Sequence, residues 1–588
     1  MLDPFDPPQS GPVLNAFEDQ RFRLRTPDGR RVTRSFREIV TEADAAYALD
    51  YPQAFYNVAA LGLLAFLAQW AFEPRDAAEL ADRVRRPLSE DEVEDVVGPL
   101  RQRFALTGDG PRFMQGPRPE DEAKAKPVEE AVLITHRGDK SFLHRADAEW
   151  AVAPDQAALF LFARNTFYEG TGGRGYQKGT NGDTPVRSLV TVPASSDTVD
   201  LRRSLWLNVL ARDQQDSYPG AYAAPGDGYD GLFWVDPPEE DVPVGGTTLR
   251  AGLGWMSAVH WLWFETLDAP AVCVVTGGPL AVGGAAARTL TKRSTGVAYG
   301  TKGDLDAGTR ADRLFLHPNV PLQVVRDKAG DATGRRPFLV DRTRGLVDAV
   351  GASFFGDLGG RQRSPFEPAP AVAQLAQGPV QRLGLTTRLL VFGFHMLSNQ
   401  KNVHGGVEAD TFRYAPLVGA SDGETLQLND LAAVLLDDAG RFAREAARAL
   451  RNAVQRTAGL GVRAKENPDT GRVEIDTKFA TTASVDDPFG ADTLAAFWRD
   501  VQPRLGAYAA EVAGAAGDPA TVRALAAAGD ALRETWEANV TRLVRQHYRP
   551  VFEHYSLLPR TMPYAHAAQR ILSGTLKNLR STQPAEAA

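Results

Sequence analysis

The residue types that could do chemistry gather in a few stretches. The string GTGGRGYQKGTNGD, Gly170 to Asp183, places six glycines among the 13 residues from 170 to 182. Glycines let a backbone pass close to a ligand without Cβ obstruction, so this loop could hug a groove or a row of phosphates. Arg174 and Lys178 turn the balance toward a polyanion. It is not the dinucleotide fingerprint, because the spacing differs and a helical pattern precedes it where a strand should stand. A plain surface loop is the alternative on glycine content alone. The string SNQKN, Ser398 to Asn402, follows the apolar run Leu389 to Phe394 and so belongs at a loop or hairpin tip. Amides there could read base edges, although Asn and Gln are also routine turn residues. From Ala286 to Gly345 there are 12 Lys or Arg against 6 Asp or Glu, an excess of +6 that suits either a polyanion or a solvated face.

Catalytic patterns are missing. The chain carries no HExxH, GxSxG or GxxxxGK-[ST] string, and the pair Asp304 and Asp306 lacks the terminal Glu of an EF-hand loop. The nine histidines are scattered: His547 and His554 stand at i and i+7, and His395 and His404 straddle a loop, with no carboxylates at ligand spacing. One cysteine, Cys273, cannot close an intrachain disulfide or complete a Cys-based zinc site, which matches a reducing compartment. No catalytic residue, metal or cofactor is expected.

The elements that must position these stretches follow from periodicity. Ser35 to Arg103 reads as helical, with Asn57 placed to cap an apolar run ending at Phe72, and helical spacing over Ala77–Val84 and Glu90–Phe104. Asp155 to Phe167 is an apolar helix running into the glycines, Thr184 to Val192 is extended, and Leu201 to Ala211 is a helix. Thr247 to Phe264, with three tryptophans, suits a strand or a buried helix equally. From Ser421 the character changes to Ala- and Leu-rich helical spacing with almost no strand signal. Helices are expected at 427–458, 491–513, 519–552 and 561–579, with short connectors, Asp492 and Asp518 as N-caps and Pro519 at a first helical position. The expected fold class is α+β: a large mixed α/β N-terminal domain over 1–420, carrying the recognition elements, followed by a C-terminal four-helix bundle over 421–588.

With 588 residues and 63.7 kDa, the chain is long enough for several cores, and 43% hydrophobic and 24% charged content is that of a folded globular protein. A formal charge of -8 means that any nucleic-acid surface is a local patch. Val58 to Phe72 is too short, at 15 residues including Gln69, for the ~20 that span a bilayer, and reads as a core helix. MLDPFDPPQSGP lacks a basic then apolar leader pattern, so the expected location is the cytoplasm, with no membrane contact.

Taken in order, several strings resemble the CasA family, the large subunit of the type I-E CRISPR surveillance complex known as Cascade. They are PLSEDE at Pro87 to Glu92, RFMQ at Arg112 to Gln115, and GTGGRGYQKGTNGDTPV at Gly170 to Val186. LRRSLWLNVL at Leu201 to Leu210, GLGWMSAVHW at Gly252 to Trp261, the His317–Pro318 turn and the dipeptide Asn399–Gln400 follow, and a helical bundle ends the chain. The resemblance spans about Val13 to Leu579 and is carried by these islands.

The resemblance implies a non-catalytic subunit of an RNA-guided antiviral complex. Such a subunit reads the short protospacer-adjacent motif (PAM) on double-stranded DNA, binds the 5' handle of the guide RNA and helps recruit the helicase-nuclease that degrades the target. Its partners would be guide RNA, target duplex and the other Cascade subunits: the backbone, the small-subunit dimer and the handle-binding subunit. By the same resemblance, Gly170, Gly172 and Gly173 approach the minor groove at the PAM, where small residues suit a groove ~6 Å wide. Asn399 and Gln400 form the wedge that starts strand separation, with Gln400 inserting. Lys302 is the lysine finger, with Lys292 as rival, and Phe142, Leu143 and His144 meet the guide handle. Many members hold zinc in a cysteine cluster after the tryptophan-rich segment; with only Cys273 there, no zinc is expected. Two alternatives remain open: a metal-dependent nuclease or hydrolase using Asp304, Asp306, His317 and His404, and a purely structural helical scaffold.

Overall fold

A computed structural model of the chain describes residues 13–581 except 109, 117, 120–124, 132–148, 168–186, 196, 244, 257, 295–314, 327–331, 338–365, 386, 397–404, 415–421, 458–462, 467–472, 477–492, 495, 498–499, 502–503, 506, 509–510, 513–521 and 559–561. The described residues fall into two compact units, one reaching to 414 and one starting at 422.

In the first unit, seven strands form one sheet: β1 (Phe22–Arg25), β2 (Arg31–Arg34), β3 (Ala46–Leu49), β4 (Arg187–Pro193), β5 (Val199–Asp200), β6 (Thr387–Met396) and β7 (Gly405–Tyr414). Their order is β7-β6-β4-β5-β3-β1-β2. Every neighbouring pair is antiparallel. β4 is buried at all positions but its last, as a central strand covered on both faces must be.

Helices α1 (Phe36–Thr41) and α4 (Glu90–Val97) both start on capping boxes, Ser35 with Glu38 and Ser89 with Glu92. The SEDE of the PLSEDE string is therefore a helix start. Between them, α2 (Ala54–Phe72) begins four residues earlier than the sequence predicts, with Gln53 rather than Asn57 at its N-cap. Asn57 is inside the helix, where its side-chain oxygen accepts from Tyr51 N–H at 2.9 Å and its amide donates to Tyr51 C=O at 3.3 Å. Among the described residues α2 is the one helix long and apolar enough to cross a membrane, but 78% of it is buried in the unit. It packs on α5 (Ala157–Phe167), α6 (Leu201–Leu207), α7 (Leu249–Leu253) and strands β4, β6 and β7. A helix apolar on every side needs such an all-round core. Its one buried amide is satisfied: Gln69 accepts from Leu210 N–H at 2.8 Å and donates to Leu210 C=O at 3.1 Å.

Polar joints tie the helices together. The guanidinium of Arg202 on α6, 1% exposed, donates from Nη1 to the carbonyls of Arg83, Val84 and Arg86 at 3.2, 3.2 and 2.9 Å. These belong to the C-terminal end of α3 (Ala77–Arg85), where a cation meets the negative end of the helix dipole. The tryptophan-rich stretch divides into both candidate forms: α7, capped by Thr248, and then a strand, Ala258–Thr266, paired antiparallel with Ala285–Ser294.

In the second unit, α8 (Asp422–Thr457), α9 (Val522–Ser556) and α10 (Met562–Ser581) pack on one another. Helical positions between 493 and 512 bury Phe497, Val501, Leu505, Tyr508 and Val512, the spacing of one helix face. α8 begins five residues before the expected 427 and α9 runs four past the expected 552; the larger departure from the sequence reading is a connector. The residues between α8 and 493 are not a short connector but carry a β-hairpin, Arg463–Glu466 with Val473–Asp476. These strands are four residues long, charged and alternating, too brief to stand out from their helical surroundings.

Candidate functional site

The three chemically suggestive stretches are each held by described residues that the first unit brings together. Arg187 opens β4 directly after the glycine-rich stretch and pairs with Phe392 of β6, with Ser188 opposite Val391. β6 continues four residues past Phe392 to Met396, which pairs with Gly405 at the start of β7. Because β4 and β6 are antiparallel, the end of β4 that receives the glycine stretch is the end of the sheet from which β6 leaves for Asn399 and Gln400. Neighbouring strands are about 4.8 Å apart and four residues extend about 13 Å, so the two departure points are close.

The basic stretch re-enters the described chain at Phe315, and it too reaches this end of the sheet. Asn319, after the His317–Pro318 turn, accepts at its carbonyl from Ser188 N–H at 2.7 Å. Its side-chain amide donates to Oδ1 of Asn208 at 2.9 Å. Asn208, just past α6, accepts from Val190 N–H at 2.8 Å and donates to the carbonyls of Val190 and Ser204, each at 2.7 Å. His317 Nδ1 accepts from Asn319 N–H at 3.1 Å. Burial, with the Arg187 charge adding to it, pushes the His317 imidazole well below the ordinary histidine range, so the ring is neutral at pH 7. Phe315 packs against α7, where a Cβ at Gly252 would lie 2.1 Å from its Cε2, so only glycine fits there. The Tyr222 hydroxyl donates to Leu316 C=O at 2.5 Å.

The upstream ends of the same two stretches are also joined. Arg164 on α5, six residues before the glycine stretch begins, donates from Nε to His260 Nε2 at 3.1 Å, which requires the proton of a neutral ring to sit on Nδ1. His260 pairs across the strands with Lys292, ten residues before Lys302 in the same basic stretch. The glycine stretch and the basic stretch thus leave and re-enter the fold at shared joints.

The predicted contact residues themselves lie outside the described residues: Gly170, Gly172, Gly173, Asn399, Gln400, Lys302, Phe142, Leu143 and His144, as do Asp304, Asp306 and His404. Lys292 is a described strand position. The stretch containing Phe142 to His144 rejoins the chain at Trp150–Ala151, which pairs in parallel with Ala271–Cys273, a sheet separate from the β4–β6 end. Among the described residues no group of three or more His, Cys, Asp or Glu is arranged to hold a metal ion. A cavity of about 400 Å³ in the second unit is lined by Phe442 and Trp536, with Arg441, Arg533 and Arg580 set against Asp438, Glu445 and Glu537, a balance that gives no anion preference.

The model of the CRISPR-associated protein Cse1 family matches residues 23–547. The chain belongs to this family. The fold agrees. Cse1 from Acidimicrobium ferrooxidans is 17% identical, with 97% of this chain and 99% of that one covered and a TM-score of 0.61. Thermus thermophilus CasA, also called Cse1, is 16% identical, with 96% and 99% covered and a TM-score of 0.59. A chain of a CRISPR RNA-guided surveillance complex is 15% identical, with 96% and 100% covered and a TM-score of 0.55. This Cse1 family member is the large subunit of a type I-E Cascade. Its sequence islands have structural places: Gln115 of RFMQ accepts from Leu262 N–H at 3.0 Å and donates to Leu106 C=O at 3.3 Å, and Arg112 lies 3.9 Å from the centre of the Trp261 ring. Asn208, Asn319 and Gly252 escaped the sequence reading as site-forming residues. The signal was present, since two lie inside quoted islands and Asn319 follows the His-Pro turn.

Proposed function

We propose that this subunit works without catalysis inside its complex, in the cytoplasm. It reads the PAM on duplex DNA through the minor groove with Gly170, Gly172 and Gly173, and opens the adjoining base pairs with the Asn399–Gln400 tip. Lys302 supports the DNA beside the glycines, Phe142, Leu143 and His144 meet the guide RNA handle, and the bound complex recruits the helicase-nuclease. One observation carries the reading. The strand register pairs Arg187 with Phe392, so the glycine stretch returns to the sheet beside the strand that leads to Gln400. Reading and opening need that proximity, because unstacking a base step costs a few kcal/mol and must be offset by contacts made at the same place. The basic stretch, tied to Ser188 through Asn319, supplies charge to the same end.

The test is duplex binding by the assembled complex at fixed salt. Replacing Gly172 and Gly173 with leucine is expected to weaken binding to a PAM-bearing, guide-matched duplex at least tenfold, by the steric loss of groove approach, while guide loading is unchanged. Unchanged PAM-dependent affinity overturns the reading. Metal-dependent cleavage by the purified chain would instead favour a nuclease.

A further inference from the structure

The glycine stretch and the basic stretch could each hold DNA only if their shared anchor is fixed, and the anchor is a pair of side-chain amides. Asn208 and Asn319 are each 2% exposed. The Asn208 side chain uses Oδ1 to accept from both Val190 N–H and Asn319 Nδ2, and Nδ2 to donate to Val190 and Ser204 carbonyls. Val190 is a central-strand residue whose ladder partner on β6 is Leu389. The same amide therefore grips the strand that receives the glycine stretch, the end of α6, and the turn that receives the basic stretch. Gln374 continues the joint, donating to Val209 C=O at 2.5 Å and accepting from Ala211 N–H at 3.3 Å. No apolar side chain could replace Asn208, because it would leave a buried N–H and two buried carbonyls unpaired.

We propose that Asn208 and Asn319 are positioning residues for PAM reading: their amide–amide bond sets the distance between the glycine stretch and the basic stretch where both return to the core. Neither residue touches DNA. The inference rests on the reading that the glycine stretch contacts the PAM, and it adds that the contact is made from two stretches locked to each other.

Asn319→Leu is the sharper variant. It removes the Nδ2 bond to Asn208 but leaves the Ser188 N–H to Asn319 C=O bond and all of the Asn208 bonds to Val190 and Ser204, so the strand keeps its support. Asn208→Leu removes in addition the side-chain bonds to Val190 and Ser204 and serves as the second variant where it folds. The probe is a guide-matched duplex carrying the flank that the parent complex enriches from a randomised-flank library. The expected result for Asn319→Leu is normal guide loading and an affinity for this duplex reduced about tenfold, the change expected when one buried hydrogen bond stops supporting the bound state. A positioning role further predicts non-additivity, since combining Asn319→Leu with leucines at Gly172 and Gly173 should cost no more than the glycine changes alone. A merely structural role predicts that the losses multiply.

Parent-like flank discrimination in Asn319→Leu, in a preparation where the glycine variant has lost it, overturns the positioning role and leaves the PAM reading standing. A parent complex that enriches no flank overturns both.

Discussion

The two units are stabilised by different means. The first is a mesh of buried polar joints between segments distant in sequence. Arg202 caps α3, Gln69 meets Leu210, Gln115 meets Leu262, and Asn208 meets Asn319. The second is a set of long helices held mainly by a periodic apolar face, with a few buried polar contacts such as Trp536 Nε1 donating to Ala439 C=O at 3.0 Å and the Thr457 and Tyr548 hydroxyls at 2.6 Å, and with exposed ion pairs at i, i+3 or i, i+4 such as Arg448–Glu445 and Arg549–Glu553. Buried polar joints specify one geometry, because an unmatched group in the core costs about 1–3 kcal/mol, whereas apolar faces tolerate sliding and exchange of similar side chains. A unit that must hold several loops in fixed register gains from the first kind.

The contrast can be broken most forcefully at Arg202. Arg202→Met leaves three helix-end carbonyls facing an apolar side chain. It is expected to cost about 3 kcal/mol in urea unfolding followed by a first-unit probe, with part recovered in Arg202→Lys. A loss below about 0.5 kcal/mol would remove the joint from the account. Gly252→Ala comes next: its Cβ meets the buried Phe315 ring, so about 1–3 kcal/mol is expected from overpacking, together with weaker duplex binding because Phe315 anchors the His-Pro turn. Unchanged unfolding and binding would show that the ring moves aside freely.

A smaller effect comes from protons. The folded His317 resists protonation, so below the ordinary value of 6.5 the unfolded chain takes up a proton that the native ring does not. Stability should therefore be full above that value and fall as pH falls through it, and His317→Asn should flatten that slope. The least effect belongs to the helical surface: Arg549→Ala breaks an exposed i, i+4 pair and should leave the urea midpoint within experimental error of the parent. A larger loss there would erase the distinction between the units.

The same contrast explains what was legible in the sequence. The helical spacing over Ala77–Val84 and from Glu90, the apolar run into Phe72 and the long helical stretches after 421 follow local rules, and the structure contains helices there. The hairpin at 463–476 was hidden because four-residue charged strands have no apolar alternation strong enough to read. The tryptophan-rich stretch was ambiguous because its apolar content satisfies either period; Thr248 as an N-cap and the pairing with 285–294 divide it. At the candidate site, the glycine, amide and lysine stretches announced themselves by composition. What joins them did not, because Asn208 and Asn319 are 111 positions apart and a lone asparagine carries no sign of its distant partner.

The central claim is that the glycine stretch and the Gln400 tip act on one place on the duplex. Its most direct test is site-specific photocrosslinking from position 173 and, separately, from position 400 in the guide-loaded complex, with the labelled nucleotides mapped. Attachment of both to the base pairs at the boundary between flank and target is the predicted outcome. Attachment at separate, distant positions, or from one probe alone while both complexes bind normally, would contradict it.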